Sequence, residues 1–130
     1  MDHPNIDLVR RAYAAYLSGD RATIDEVFDP ELQWHNSGFD ATSGDRRGID
    51  DVLAYLWADN HMDDYRLDVV DMLASDERVA VIARTSGRLG ERAIVNDFVQ
   101  VVRIGEGRVA EVWNYYWDQR AIAEAFPVPA

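Results

Sequence analysis

Cysteine is absent from the 130 residues, which excludes disulfides, thiolate catalysis and a cysteine-ligated zinc centre. Long apolar runs are missing as well, so no stretch suits a membrane-crossing helix. The opening residues Met1-Asp2-His3-Pro4 lack the basic region and apolar stretch of a secretory signal, which favours the cytoplasm. The histidines at positions 3, 35 and 61 show no metal-ligand spacing, so neither a metal nor another cofactor is expected. There is no internal repeat, linker or low-complexity segment. A formal net charge of −11 argues against nucleic acid and anionic membrane, because both are bound through basic patches. The acids are spread along the chain, as on a solvated surface.

What is present suits one domain spanning residues 1–130, with 48% apolar residues to build a core. Pro4 is placed for a first helical turn, and Ile6, Val9, Tyr13, Tyr16 and Leu17 recur at helical spacing up to Gly19. Asp20 can cap a second helix that buries Ile24, Val27 and Phe28 and stops at Pro30. Leu32–Asn36 alternates as a short strand, and Ser37-Gly38 begins a loop running to Gly48. Ile49, Val52, Leu53, Leu56 and Trp57 mark a third helix, with Asp50-Asp51 at its start. The period then changes to two over Tyr65–Leu73, Arg78–Arg88, Ala93–Ile104 and Val109–Trp117, joined by short turns that force antiparallel neighbours. A last helix, Asp118–Phe126, ends at Pro127. Helices first and strands later make an α+β domain with helices on one face of a curved sheet.

Strand parity sorts the candidate site residues. On the last strand Val112, Asn114 and Tyr116 share one face and Trp113, Tyr115 and Trp117 the other. Asn96, Phe98, Gln100 and Val102 go together on the strand before, and Leu32, Trp34 and Asn36 on the first. Amides framed by Phe, Trp and Tyr are the composition of a small-molecule pocket; a polar core network satisfied internally has the same composition. Tyr13, Tyr16 and Trp57 would face these residues across the pocket. His35 is the most tempting catalytic residue by its ordinary pKa, yet alternation points it away from Trp34 and Asn36 unless a bulge intervenes. Asp97 interrupts an apolar face, as a buried acid or as the partner of Arg84 or Arg88. His61 could cap the third helix or line the pocket mouth. Trp113, Tyr115 and Trp117 read as core or subunit contact, since exposed they would make a large apolar patch. With the Val95/Val99/Val101 row they suggest a homodimer through the outer sheet face.

These residues resemble the SnoaL-like branch of the nuclear-transport-factor-2-like superfamily, whose relatives include ketosteroid isomerase, polyketide cyclases and limonene epoxide hydrolase. The resemblance rests on Tyr13–Asp20, ending in Gly19-Asp20, on Gln33–Ser37, on Arg47–Val52 and on Gly107–Tyr115. It implies a cone-shaped sheet, mixed or antiparallel, with three N-terminal helices on its concave face, a short C-terminal helix, and a deep pocket between them. Carried over by position, the isomerases' general base falls on Asn36, their proton-donating acid on Gln100 and their oxyanion-hole tyrosine on Ala12. The last-strand acid of cyclases and epoxide hydrolases falls on Asn114, and the hydrolases' Arg-x-Asp pair on Arg78-Val79-Ala80.

Each acid is thus replaced by an amide or an apolar residue, and amides do not titrate near neutrality. The expectation is a protein that binds a small, largely apolar, possibly cyclic molecule without the family's catalytic carboxylates. An isomerase, cyclase or lyase step remains open beside a purely ligand-binding or protein-interaction role. Ligand-binding candidates are Tyr13, Tyr16, Trp34, Asn36, Trp57, Phe98, Gln100, Asn114 and Tyr116; His35 and Asp97 are the catalytic ones.

Overall fold

A computed structural model describes residues 3–58 and 62–128. Helix α1 (Pro4–Ser18) starts with His3 accepting from the Asn5 amide and Pro4 in the first turn, where a missing N–H costs nothing. Gly19 ends it at φ 72°, and its N–H bonds back to the last turn. Asp20 then caps α2 (Arg21–Val27) through the Thr23 amide. Phe28 leaves the helical region at φ −106°, ψ 142° and opens strand β1 (Phe28–Asn36). The sequence reading carried α2 on to Pro30. The proline instead lies inside the strand, a placement sheets tolerate near a strand's start.

A second correction concerns the segment read as an uninterrupted loop to Gly48. Its last part is strand β2 (Gly44–Arg47), antiparallel to β1 with Asn36 opposite Gly44 and Gln33 opposite Arg47. Gly44 and Gly48 sit at φ 108° and 90°, backbone conformations that open and close this four-residue strand. Helix α3 (Ile49–Ala58) follows, with Asp50 and Asp51 in its first turn.

The long strands β3 (Asp63–Ala74), β4 (Arg78–Leu89), β5 (Arg92–Gly105) and β6 (Arg108–Tyr116) then form an antiparallel meander. The sheet order is β2-β1-β6-β5-β4-β3, and β1 and β6 run parallel with Trp34 beside Val112 and Asn36 beside Asn114. Asp118 caps the short helix α4 (Gln119–Ala125) by accepting from the Ala121 amide.

Alternation decides which face is buried. Leu32, Trp34 and Asn36 of β1, Val79, Val81 and Ala83 of β4, Phe98, Gln100 and Val102 of β5, and Val112 and Asn114 of β6 are all buried. They pack against Ile6, Val9 and Ala12 of α1, Ile24 and Val27 of α2, and Ile49, Val52 and Leu53 of α3. The α+β expectation, a curved sheet with helices on its concave face, describes this arrangement. On edge strand β3 the pairing slips between Val69 and Asp71, a bulge that leaves Val70 exposed and makes the edge a poorer template for a further strand.

Candidate functional site: a neutral cavity crossed by an amide chain

A cavity of about 170 Å³ lies between the helices and the inner sheet face. Tyr13, Tyr16, Trp34, Asn36, Phe98, Gln100, Asn114 and Tyr116 all line it, so these eight candidates come together in one place. Trp57 does not. It is 40% exposed, and Leu53, Tyr55 and Leu56 supply the α3 wall instead. The correction is one of helical phase. Val52, Leu53 and Leu56 turn a narrow stripe inward, and the next position, 100° further round, faces out.

The polar lining is a hydrogen-bonded chain. Tyr13 Oη donates to Gln100 Oε1 at 2.6 Å, Gln100 Nε2 to Asn114 Oδ1 at 2.8 Å, and Asn114 Nδ2 to Asn36 Oδ1 at 2.9 Å. Asn36 Oδ1 also accepts the Trp34 indole N–H at 3.1 Å. Asn36 Nδ2 donates to the Thr42 carbonyl at 2.8 Å and to the Tyr55 hydroxyl oxygen. Tyr55 Oη donates to the same carbonyl at 3.1 Å, and Arg46 reaches it at 3.3 Å while its guanidinium stacks 3.5 Å from the Tyr55 ring centroid. Strand pairing makes this possible. Gln100 faces Asn114 across β5 and β6, and Asn114 faces Asn36 across β6 and β1. Three amides in adjacent strands at one level form a row whose members lie within hydrogen-bond reach. The two readings left open by the sequence, pocket lining and satisfied core network, therefore hold together: the amides line the cavity and bond to one another.

No Asp, Glu, His, Lys or Arg occurs among the described residues that line the cavity. Burial, reinforced by neighbouring Tyr65 and Tyr16, pushes the Tyr13 phenol well above its ordinary value. Burial likewise raises Tyr65, with Tyr16 and Tyr116 beside it and Tyr16 hydrogen-bonded to it. These phenols are thus held neutral across the physiological range. Val9, Leu32, Val52, Leu67 and Ile94 add apolar wall, and Phe126 and Ile122 contribute from the C-terminal end.

Both titratable candidates lie elsewhere. His35 is on the outer face, with Nδ1 2.7 Å from Asp45, Nε2 2.6 Å from Glu111, and its ring stacked on Trp113. Burial works against its charge, but the bonds to Asp45 and Glu111 outweigh that and raise its pKa. Asp97 pairs with Arg84 at 2.7 Å, both side chains being more than half exposed; that bond holds the carboxyl below its ordinary range. His61 lies outside the described residues. Among the outer aromatics, Tyr115 and Trp117 are exposed, which rules out their reading as monomer core.

The sequence reading missed Thr42, Tyr55, Tyr65 and Phe126. Tyr55 had a signal, since it lies one turn beyond Val52; Tyr65 shares strand parity with Leu67. Thr42 contributes a backbone carbonyl, which no side-chain pattern encodes.

Comparison with known proteins agrees with this geometry. The SnoaL-like domain family model matches residues 9–112. The chain belongs to the SnoaL-like domain family. An uncharacterized protein of Mycobacterium tuberculosis is 28% identical over 123 residues, covering 92% of this chain and 94% of its own. Bal32a, from a soil-derived mobile gene cassette, superposes on this SnoaL-like domain with a TM-score of 0.86 at 28% identity, over 95% of this chain and 96% of its own. An NTF2-like protein of Burkholderia xenovorans LB400 gives a TM-score of 0.83 at 24% identity, with 95% of each chain covered. It shows the same fold.

Proposed function

We propose that this SnoaL-like domain binds a small, neutral, largely apolar molecule in the cavity and performs no general acid–base chemistry there. One observation carries the reading: the described lining is apolar and aromatic, holds a row of amides, and contains no ionisable group that titrates near neutrality. Burying a charged ligand against such a wall would leave the charge unpaired, at a cost of several kcal/mol. A titrating side chain is what moves protons in isomerase or epoxide-hydrolase chemistry, and Asn36, Gln100 and Asn114 cannot take that role. Size narrows the ligand further. A dry cavity of about 150 Å³ takes benzene, so about 170 Å³ suits one ring with short substituents and not a steroid.

The test is thermal shift and calorimetry with toluene and limonene against benzoate and a steroid ketone. Toluene or limonene should stabilise the protein, and the other two should not. Equal stabilisation by benzoate would overturn the neutral-ligand reading. Turnover of a terpene epoxide or a 3-keto-5-ene steroid above a heat-killed control would overturn the exclusion of acid–base chemistry.

The outer sheet face supports a homodimer as a second proposal. Ile82, Val99 and Tyr115 lie side by side across β4, β5 and β6, each more than a third exposed. Val95 and Trp117, also exposed, extend the patch. An isologous pair would cover that face. Light scattering at micromolar concentration should give twice the 14.8 kDa chain mass, and a monomer would remove the proposal.

A further inference from the structure

Part of the cavity wall is made by two segments that the sheet holds only lightly. Thr42 comes from the 37–43 loop, and Ile122 and Phe126 come from α4 and its C-cap. Helix α4 has seven residues and buries one of them, Ile122, whereas α2 buries two in the same length and α1 four. Its polar ties to β5 are an exposed Arg92–Glu124 pair at 3.2 Å and the Asn96 Nδ2 bond to the Asp118 carbonyl, also 3.2 Å. Segments with few buried apolar contacts open locally at low free energy.

The seam between loop and helix holds a buried acid. Among the described residues three buried side-chain oxygens lack a hydrogen-bond partner, and two of them, Asp40 Oδ2 and Gln119 Oε1, flank Gly38. A Cβ on Gly38 would stand 2.9 Å from the first and 2.6 Å from the second. Asp40 is 4% exposed, and its other oxygen accepts from the Thr42 amide at 2.7 Å. A buried carboxylate oxygen without a donor is costly. Gln119 Nε2 lies 2.9 Å from Ser37 Oγ, which leaves Oε1 toward the carboxylate, acceptor against acceptor. The two ends of an amide share one shape, so partners decide which is which. Ser37 Oγ can donate or accept, whereas an ionised carboxylate only accepts. Turned end for end, Gln119 offers its NH2 to Asp40 and receives the Ser37 hydroxyl hydrogen. The same closure sets the Ala41 N–H on the Phe126 carbonyl at 2.9 Å and the Thr42 carbonyl on Asn36 and Tyr55.

We propose that α4 and the 37–43 loop are the door through which a ligand enters the cavity, with Asp40, Gln119 and Ser37 as its latch. This rests on the small-molecule reading above. The three latch residues do not line the cavity, so they govern entry and release and not the strength of binding. Gly38, at φ 113°, lets the segments close with no side chain between them.

Fluorobenzene exchange followed by 19F NMR reads the door. Gln119→Glu sets a second carboxylate against Asp40 at neutral pH. It should speed entry and release about tenfold or more and leave affinity within about threefold of wild type. Adding Asp40→Asn moves the amide across the seam, where its NH2 faces the new carboxylate, and should return both rates to wild type. Rates unmoved by Gln119→Glu, or a double variant no slower than the single one, would overturn the inference and leave the small-molecule reading standing. Wild-type protein that binds no fluorobenzene would overturn that reading, and the door with it. A second measurement needs no variant. In hydrogen exchange of the fluorobenzene-saturated protein, under conditions where each opening leads to exchange, the Ala41 and Phe126 amides should open together. They should open at least as fast as fluorobenzene leaves. Release faster than that opening would mean that the ligand leaves elsewhere, and would overturn the inference.

Discussion

The two faces of the sheet handle polar groups in opposite ways. On the concave face, Asn36, Gln100 and Asn114 are at most 7% exposed and uncharged, and they bond to one another and to Tyr13, Trp34, Tyr55 and the Thr42 carbonyl. On the convex face, His35 bridges Asp45 and Glu111, Arg103 also reaches Glu111, and Arg84 pairs with Asp97 where both side chains are more than half exposed. Low dielectric explains the inner choice. A buried amide keeps its bonds without the desolvation cost that a carboxylate would incur. At the outer face that cost is small, and so is the net value of each pair. The inner face is therefore where changes should be large and insensitive to pH, and the outer face where they should be small and pH-dependent.

The largest expected effect tests the inner row as a unit. Asn36→Leu keeps size and removes the partner of the Trp34 N–H and of the Asn114 NH2. Two orphaned buried donors at ~1–3 kcal/mol each predict a loss of about 3 kcal/mol in urea unfolding. A loss below ~1 kcal/mol would show that the row is replaceable packing and that the contrast between faces is overstated.

Leu56 and Trp57 sharpen the comparison within one helix. Leu56 lines the cavity and Trp57 faces solvent. Leu56→Ala should weaken toluene binding by about tenfold, through lost apolar contact. Trp57→Ala should leave it nearly unchanged, although tryptophan is the larger side chain. The reverse result would restore the sequence-based expectation for Trp57.

How far the site could be read from sequence follows the same division. Period-two alternation placed Trp34, Asn36, Phe98, Gln100, Asn114 and Tyr116 on one face, because a strand's geometry leaves no alternative unless a bulge intervenes. In a helix, adjacent positions such as 56 and 57 differ by 100°, so the edge of an apolar stripe is ambiguous; an apolar residue there can fall on either side. Strand β2, with Gly and charged residues and no alternating apolar pattern, is held by pairing to β1 and gives no local signal. The amide row itself was foreseen as residues sharing a face. Its bonding order was not, since this depends on strand register and on a backbone carbonyl from the 37–43 loop.

On the outer face His35 gives the pH test. Its pKa is raised in the folded protein, so its stabilising contribution is fully present below the unfolded value near 6.5 and is lost as pH rises through the folded value. The wild-type melting temperature should therefore fall, relative to His35→Gln, as pH climbs from about 6.5. Toluene affinity should stay flat over that range, because the cavity's described lining has no group that titrates there. A parallel change in affinity would mean that the two faces are coupled, through β2, whose Asp45 holds His35 while its Arg46 backs Tyr55.

The smallest effect belongs to Asp97, and it is the cleanest check on which face carries function. Asp97 lies on β5 between Asn96 and Phe98, so a register slipped by one residue would turn it into the cavity as a buried acid. In the observed register it bonds Arg84 on the neighbouring strand, half exposed, with its carboxyl held below the ordinary range by that bond. An acid with a lowered pKa is a stable anion at neutral pH and a poor proton shuttle. Asp97→Asn keeps the shape, removes the charge and leaves Arg84 in contact with water. Stability and ligand affinity should both stay within about twofold of wild type, as for other exposed ion pairs far from a site. A deep loss of binding with the fold intact would place Asp97 at the ligand, and the assignment of chemistry to the neutral face would have to be reversed.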